Sequence, residues 1–142
     1  MRYRWRDLAF DVADDLDDRT VVVLSRQGAG PAPSFTLVVS SDKTPQGMAG
    51  YVDEALREQL TSLSGFRVAS RKNSTVMGSA AVVVDAVTLS PEGVSLVQKQ
   101  AFVDRGGSVV VVTGSCRDAT EPRALLEAAF QRLLSSLVVE KS

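Results

Sequence analysis

Four nearly unbroken apolar runs, at residues 21–24, 37–39, 81–84 and 109–112, constrain this chain more than any other feature. Valine dominates them, and a β-branched side chain fits a pleated strand while losing freedom in a helix. A strand with no polar position has no face to offer water, so each run predicts a strand buried on both sides of a sheet. None approaches the ~20 residues that span a bilayer. The basic N-terminus, Met1-Arg2-Tyr3-Arg4-Trp5-Arg6, is not followed by the apolar stretch of a secretory signal. The expectation is a soluble, cytoplasmic chain with no stable membrane insertion.

Residues 3–12 begin with Tyr3 and Trp5 alternating against Arg2, Arg4 and Arg6, which predicts a first strand. Strands are predicted again over residues 21–24 and 34–41. Thr44-Pro45 has the pattern of an N-cap followed by proline in the first turn. A helix is predicted from there to about Leu63, with Met48, Val52, Leu56, Leu60 and Leu63 as its apolar stripe and Gly65 as its stop. Four strands follow, over residues 66–76, 80–89, 95–104 and 108–116, separated by turn signals at Met77-Gly78-Ser79, Ser90-Pro91-Glu92-Gly93 and Arg105-Gly106-Gly107. Turns at that spacing with no helix between them predict an antiparallel meander. Thr120-Glu121-Pro122 opens a last helix to Leu137, with Leu126, Phe130, Leu133 and Leu137 inward. The order predicts an α+β fold, a mainly antiparallel six- to seven-stranded sheet with two helices, in one domain over residues 1–142.

Such a sheet is roughly 30 Å wide at ~4.8 Å per strand, and two helices ~10 Å apart cover about 20 Å of one face. Helices on one side leave the other side open, and one helix on each side leaves both partly bare. Either loops complete the cover, or bare apolar sheet is a surface for self-association or a hydrophobic ligand.

Composition thins out the chemistry such a surface could carry. The 142 residues contain no histidine, the commonest general base and metal ligand, and only one cysteine, Cys116. Sixteen Lys and Arg balance 17 Asp and Glu, for a net charge of -1, which gives no broad reason to bind nucleic acid. The aspartates at 11, 14, 15, 17 and 18 lack the ligand alternation of a calcium loop. Gly28-Ala29-Gly30 leads into prolines and a strand, not into the helix N-terminus of a phosphate cradle. Cys116 ends a buried-looking strand and reads as a packed thiol, and the interleaved arginines of the first strand read as edge-strand protection. No catalytic residue, metal ligand or cofactor is predicted.

The polar residues inside the apolar strands carry more information. Gln98 and Gln100 share a face with Leu96 and Phe102, and Thr36 and Ser40 share one with Val38. Such a pattern is either a satisfied structural network or a groove whose small polar groups meet an apolar helix, since polar contacts discriminate where generic hydrophobicity cannot.

At these residues the sequence resembles the DcrB-related family, and within it the Eag-type chaperones of type VI secretion effectors. The segments carrying the resemblance are Asp18-Arg19-Thr20-Val21-Val22-Val23-Leu24, Ser34-Phe35-Thr36-Leu37-Val38-Val39-Ser40, residues 51–60, Gln98-Lys99-Gln100-Ala101-Phe102-Val103, the Arg105-Gly106-Gly107 turn, the strand with Thr113, and Leu134-Ser135-Ser136-Leu137. The resemblance implies a PsbP-like α/β/α sandwich on a curved sheet, a homodimer, and a concave apolar surface that shields the hydrophobic N-terminal segment of a secreted effector. Carried onto this chain, Val21, Val23 and Val38 would give apolar contact. Thr36, Ser40, Gln59, Gln98 and Gln100 would give polar contact. Ser41-Asp42 stand where the family often has an arginine. The alternative expectation is a dimeric interaction protein of the same fold with no client.

Overall fold

The computed structural model describes residues 2–11, 13–14, 21–27 and 33–139. Among them the elements are β1 (Arg2–Trp5), β2 (Leu8–Asp11), β3 (Val22–Gln27), β4 (Pro33–Lys43), α1 (Met48–Ser62), β5 (Arg67–Val76), β6 (Ser79–Leu89), β7 (Ser95–Asp104), β8 (Ser108–Arg117) and α2 (Thr120–Ser136). β3 to β8 form one antiparallel sheet in the order β3-β4-β8-β7-β6-β5. The meander β5-β6-β7-β8 is built from adjacent hairpins, the last closed at Gly106-Gly107, whose φ values of 70° and 91° suit glycine best. β8 then returns to pair with β4, which leaves β3 as one edge strand and β5 as the other. This is the α+β architecture expected, with six strands in the main sheet.

Three local readings are corrected. Residues 3–12 are not one strand: Arg6, at φ 56°, turns the chain with Asp7, and β1 pairs with β2 in a separate two-stranded ribbon. Helix α1 begins at Met48, not at Thr44. The Gly47 N–H donates to the Thr44 carbonyl, so residues 44–47 form a turn ahead of the helix. The α1 stripe also differs from the expected one. Met48, Tyr51, Val52, Ala55 and Leu56 pack inward, while Leu60 and Leu63 are exposed and Gln59 is the last-turn residue that meets the sheet. In α2, Leu126, Phe130 and Leu134 are buried, with Leu133 and Leu137 packed beside them. The Gly28–Gly30 segment and Asp15, Asp17 and Asp18 lie outside the described residues.

Strict alternation along the central strands splits the core in two. On one face α1 packs on Val82, Val84, Ala86, Phe102, Val109 and Val111. On the other, α2 packs on Phe35, Leu37, Ala101, Val103, Val112 and Cys116. The continuous apolar runs follow from this: neighbouring residues of β6 and β8 serve opposite cores. Each fully buried large side chain, such as Phe102 or Phe130, contributes roughly 1.5–3 kcal/mol. Helix α2 lies close to β8 because position 114 is glycine. A Cβ there would stand 2.7 Å from Leu126 Cδ1 and 3.1 Å from Leu37 Cδ2. Burial raises the Cys116 thiol pKa, in keeping with a packed side chain.

A charged clasp fastens the α2 side. Lys99 Nζ donates to Asp85 and Glu127, each at 2.6 Å, and lies 5.6 Å from the centre of the Phe130 ring. The Ser70 hydroxyl donates to Asp85 as well, so β5, β6, β7 and α2 meet at one point. Burial alone would lower the Lys99 pKa, but its two carboxylate partners carry it upward.

Candidate binding surface

Each helix covers only part of its face. Tyr51, in the first turns of α1, reaches β4, where its hydroxyl donates to Asp42 at 3.1 Å. The other end of α1 closes on β6, where the Leu89 N–H donates to the Ser64 carbonyl and the Gly65 backbone abuts Leu89. So α1 crosses its face obliquely and leaves β3, β4 and the second half of β8 open on that side.

Register defines the open floor. Ser25 stands opposite Thr36, Thr36 opposite Ser115, and Ser115 opposite Gln98. One step along, Val23, Val38, Thr113 and Gln100 form a second row. Val22 pairs with Val39, so Val21 stands one step further, level with Ser40 and Val111. All eight residues singled out from the sequence thus belong to this face or to its α1 wall. Val21 is 50% exposed and Val23 63%, whereas Thr36, Val38 and Ser40 are half-buried.

The glutamines form a short relay at the foot of the wall. Gln98 Nε2 donates to Gln59 Oε1, and Gln59 Nε2 donates to Gln100 Oε1, both at 3.0 Å. Among the described residues the second polar atom of Gln98 and of Gln100 has no hydrogen-bond partner. An acceptor at Gln98 and a donor at Gln100 therefore remain at the edge of the floor. Desolvation first, then the bond to Asp42 and the charges of Asp42 and Glu58, push the Tyr51 pKa up to about 12. The floor is apolar at β3, hydroxyl-lined across its middle and bounded by an amide relay and an acidic, tyrosine-bearing helix flank. It can exclude water from an apolar surface and hydrogen-bond isolated polar groups.

Ser25, Thr113 and Ser115 were not singled out from the sequence. Their signal was present in the alternation of residues 113–115 and in the pairing of β4 with β8, but that pairing is non-local and no turn announces it. The basis of the Gln59 contact is likewise tertiary.

The two sheet edges differ. β5 carries Arg67, Arg71 and Lys72 and an irregularity between Val68 and Ser70, features that discourage further strand pairing. β3 begins at a run of four exposed apolar residues, Val21 to Leu24, pointing alternately to both faces.

Comparison with known proteins gives the same frame. The DcrB family model matches residues 8–136. The chain is 28% identical over 139 residues to the Pseudomonas aeruginosa protein Effector EagT6, covering 96% of this chain and 94% of that one. Among solved structures, the P. aeruginosa protein of unknown function PA94 superposes with a TM-score of 0.81 at 26% identity, covering 100% of this chain and 98% of that one. LpqN of Mycobacterium tuberculosis (TM-score 0.55, 17% identity, 85% and 84% covered) and the cyanobacterial PsbP of Synechocystis sp. PCC 6803 (0.51, 12%, 80% and 78%) share the fold. The fold is PsbP-like.

Proposed function

The chain belongs to the DcrB family, and on that premise we propose that it is a non-catalytic chaperone or adaptor. It covers the hydrophobic N-terminal transmembrane segment of a type VI secretion effector in the cytoplasm before export. Likeness to Effector EagT6 over nearly the whole chain supports an effector partnership. The observation that carries the reading further is the open floor: Val21 and Val23 stand exposed, with Val38 half-buried between them and β8, on a part of the sheet face that α1 does not cover. An apolar helix exposed to water aggregates, and a surface that buries its face gains roughly 25 cal/mol per Å² covered. The hydroxyls of Thr36 and Ser40 and the relay of Gln59, Gln98 and Gln100 would meet polar groups of the same helix. No helix among the described residues is long and apolar enough to cross a membrane, so the transmembrane character in this reading belongs to the client.

Co-expression with the N-terminal segment of a candidate effector tests this. The segment is expected in the soluble fraction with the wild-type chain and in the pellet with the Val21→Asp, Val23→Asp double variant. If the segment's solubility is the same with wild type, with the variant and with no chaperone, the reading is wrong.

A second reading has its own observation. Val22 and Leu24 are exposed on the face opposite the floor, so β3 is apolar on both sides. A homodimer joined at β3 would bury both. If that dimer binds no apolar segment and no hydrophobic dye, self-association alone accounts for the surface, and light scattering across a dilution series measures it.

A further inference from the structure

We propose that the hollow at the N-terminus of α1 is a binding site for a single carboxylate, and that this holds whether or not the floor receives a client. The cavity, of about 310 Å³, lies between the turn of residues 44–47 and the first two turns of the helix. Lys43, Thr44, Gly47, Gly50, Tyr51 and Glu54 stand in its wall. Its backbone donors are the first sign of a ligand. Gly47 is the N-cap residue, no side chain caps the helix, and no acidic residue lies in the first turn. Among the described residues the N–H groups of Met48, Ala49 and Gly50 have no hydrogen-bond partner. Such groups, at the positive end of the helix dipole, attract an anion.

Two further observations are independent of the helix end. Thr44 is only 4% exposed, and its Oγ1 is buried with no partner among the described residues. Its backbone is held on both sides, the N–H donating to the Gly107 carbonyl and the carbonyl accepting from Gly47, each at 3.0 Å. An orphaned buried hydroxyl costs the fold stability that a valine of the same shape would not. Gly50 is a second such cost. A glycine weakens a helix relative to alanine, yet its φ is not positive and a Cβ there would meet nothing within 4 Å. The chain's own packing gives neither residue a reason, whereas a ligand bonded to Thr44 and lying close over the helix backbone gives one to both. The donors require an oxygen anion, and the surroundings limit its charge. Lys43 supplies one positive charge, but Glu54, bonded to Arg57 at 2.7 Å, and Asp42, bonded to the Tyr51 hydroxyl at 3.1 Å, stand close by. They would repel a dianionic phosphate and tolerate a monoanionic carboxylate. It could come from a free small acid or from an acidic side chain of a bound segment, since Tyr51 joins this cavity to the border of the floor.

Proton–nitrogen NMR of the full chain reads the site, with sodium acetate as the probe and sodium chloride at equal ionic strength as the control. The amide signals of Met48, Ala49 and Gly50 should move along a saturable curve with acetate and stay in place with chloride. Thr44→Val and Gly50→Ala should each raise the Tm of the free protein, because one removes an orphaned hydroxyl and the other a helix glycine. Thr44→Val should weaken acetate binding about tenfold, the loss of one hydrogen bond to a charged group, and Gly50→Ala should weaken it by placing a methyl group in the ligand's space. Stability and binding moving in opposite directions is a result that a merely structural role for these residues would not give. Shifts that do not saturate, that chloride reproduces, or that both variants retain unchanged overturn the proposal. Inorganic phosphate binding more tightly than acetate overturns the assignment to a carboxylate. A dye-labelled apolar helical peptide ending in glutamate, and its glutamine twin, separate the two sources. Acetate that competes with the glutamate peptide alone assigns the site to a segment's side chain. Equal binding of the twins, or binding of neither while acetate saturates, assigns it to a free small acid.

Discussion

Replacing Gln59 by leucine tests the amide relay, the part of the surface where stability and recognition share atoms. The substitution removes two hydrogen bonds of 3.0 Å at once. Their costs are unequal. Gln98 is half-buried, and its freed amide can turn to water. Gln100 is 7% exposed, so its carbonyl oxygen would be left buried without a donor, at a cost of about 1–3 kcal/mol. Leucine is at least as good a helix former as glutamine and returns some apolar contact. The net expectation is a loss of about 1–2 kcal/mol, or a fall in Tm of roughly 2–4 °C per kcal/mol for a chain of this size. A double-mutant cycle isolates the cause. Gln100→Leu removes the stranded oxygen, so the Gln59→Leu, Gln100→Leu pair should be less destabilised than the sum of the singles by at least about 0.5 kcal/mol. Urea unfolding at constant m-value gives all four corners of the cycle. Additive effects would mean that Gln59 and Gln100 do not share a bond worth counting, and the relay would lose its place in the description of the surface.

Other outcomes follow from single contacts. Gly114→Ala sets a methyl group 2.7 Å from Leu126 Cδ1, and overpacking should cost about 1–3 kcal/mol; urea unfolding should show a lowered midpoint, part of it recovered by adding Leu126→Val, and an unchanged midpoint would contradict the close approach of α2. Lys99→Met keeps a packed side chain over Phe130 but removes both carboxylate bonds. Asp85 and Glu127 are partly exposed and can rehydrate, so the expected loss is about 1–2 kcal/mol, smaller in high salt, and a salt-independent loss would point to packing instead. The raised Tyr51 pKa has a definite sign. The folded chain holds that proton more tightly than the unfolded one, so the associated stability is present below the ordinary value of 10.0 and is lost as pH rises towards about 12. Lys99, also shifted upward, adds in the same alkaline window. Tyr51→Phe should therefore lose less stability than wild type between about pH 9 and pH 11.5, and parallel curves would show that the tyrosine does not contribute.

Much of the fold was legible because its signals are local. Turn residues at 90–93 and 105–107 announce hairpins, and the valine runs of β6 and β8 announce strands with both faces buried, whereas the run at residues 21–24 lies exposed because β3 is an edge strand. What was misread depended on distance. The alternation of residues 3–12 is real, but a positive φ at Arg6, which no glycine marks, folds it back on itself. Leu60 and Leu63 continue the α1 stripe in sequence yet are exposed, and Gln59 beside them is the residue that meets β7. Thr44-Pro45 reads as a cap, but Gly47 moves the helix start three residues on. For the surface, Thr36, Val38 and Ser40 could be grouped by alternation alone. Their alignment with Thr113, Ser115 and the glutamines exists only once β8 returns to pair with β4.

The alternation within β4 has a consequence for how such a protein can diverge. Phe35 and Leu37 belong to the core beneath α2, while Thr36, Val38 and Ser40 face the floor. Two sets of constraints are thus interleaved letter by letter in one short stretch of gene. If the floor holds a client as proposed, the even-numbered positions are free to drift with that client while the odd-numbered ones hold the scaffold. Relatives with different occupants should therefore keep residues 35 and 37 apolar and differ most at 36, 38 and 40. Exchange of those three side chains, with Val21 and Val23, is the smallest edit that would transfer one member's preference to another.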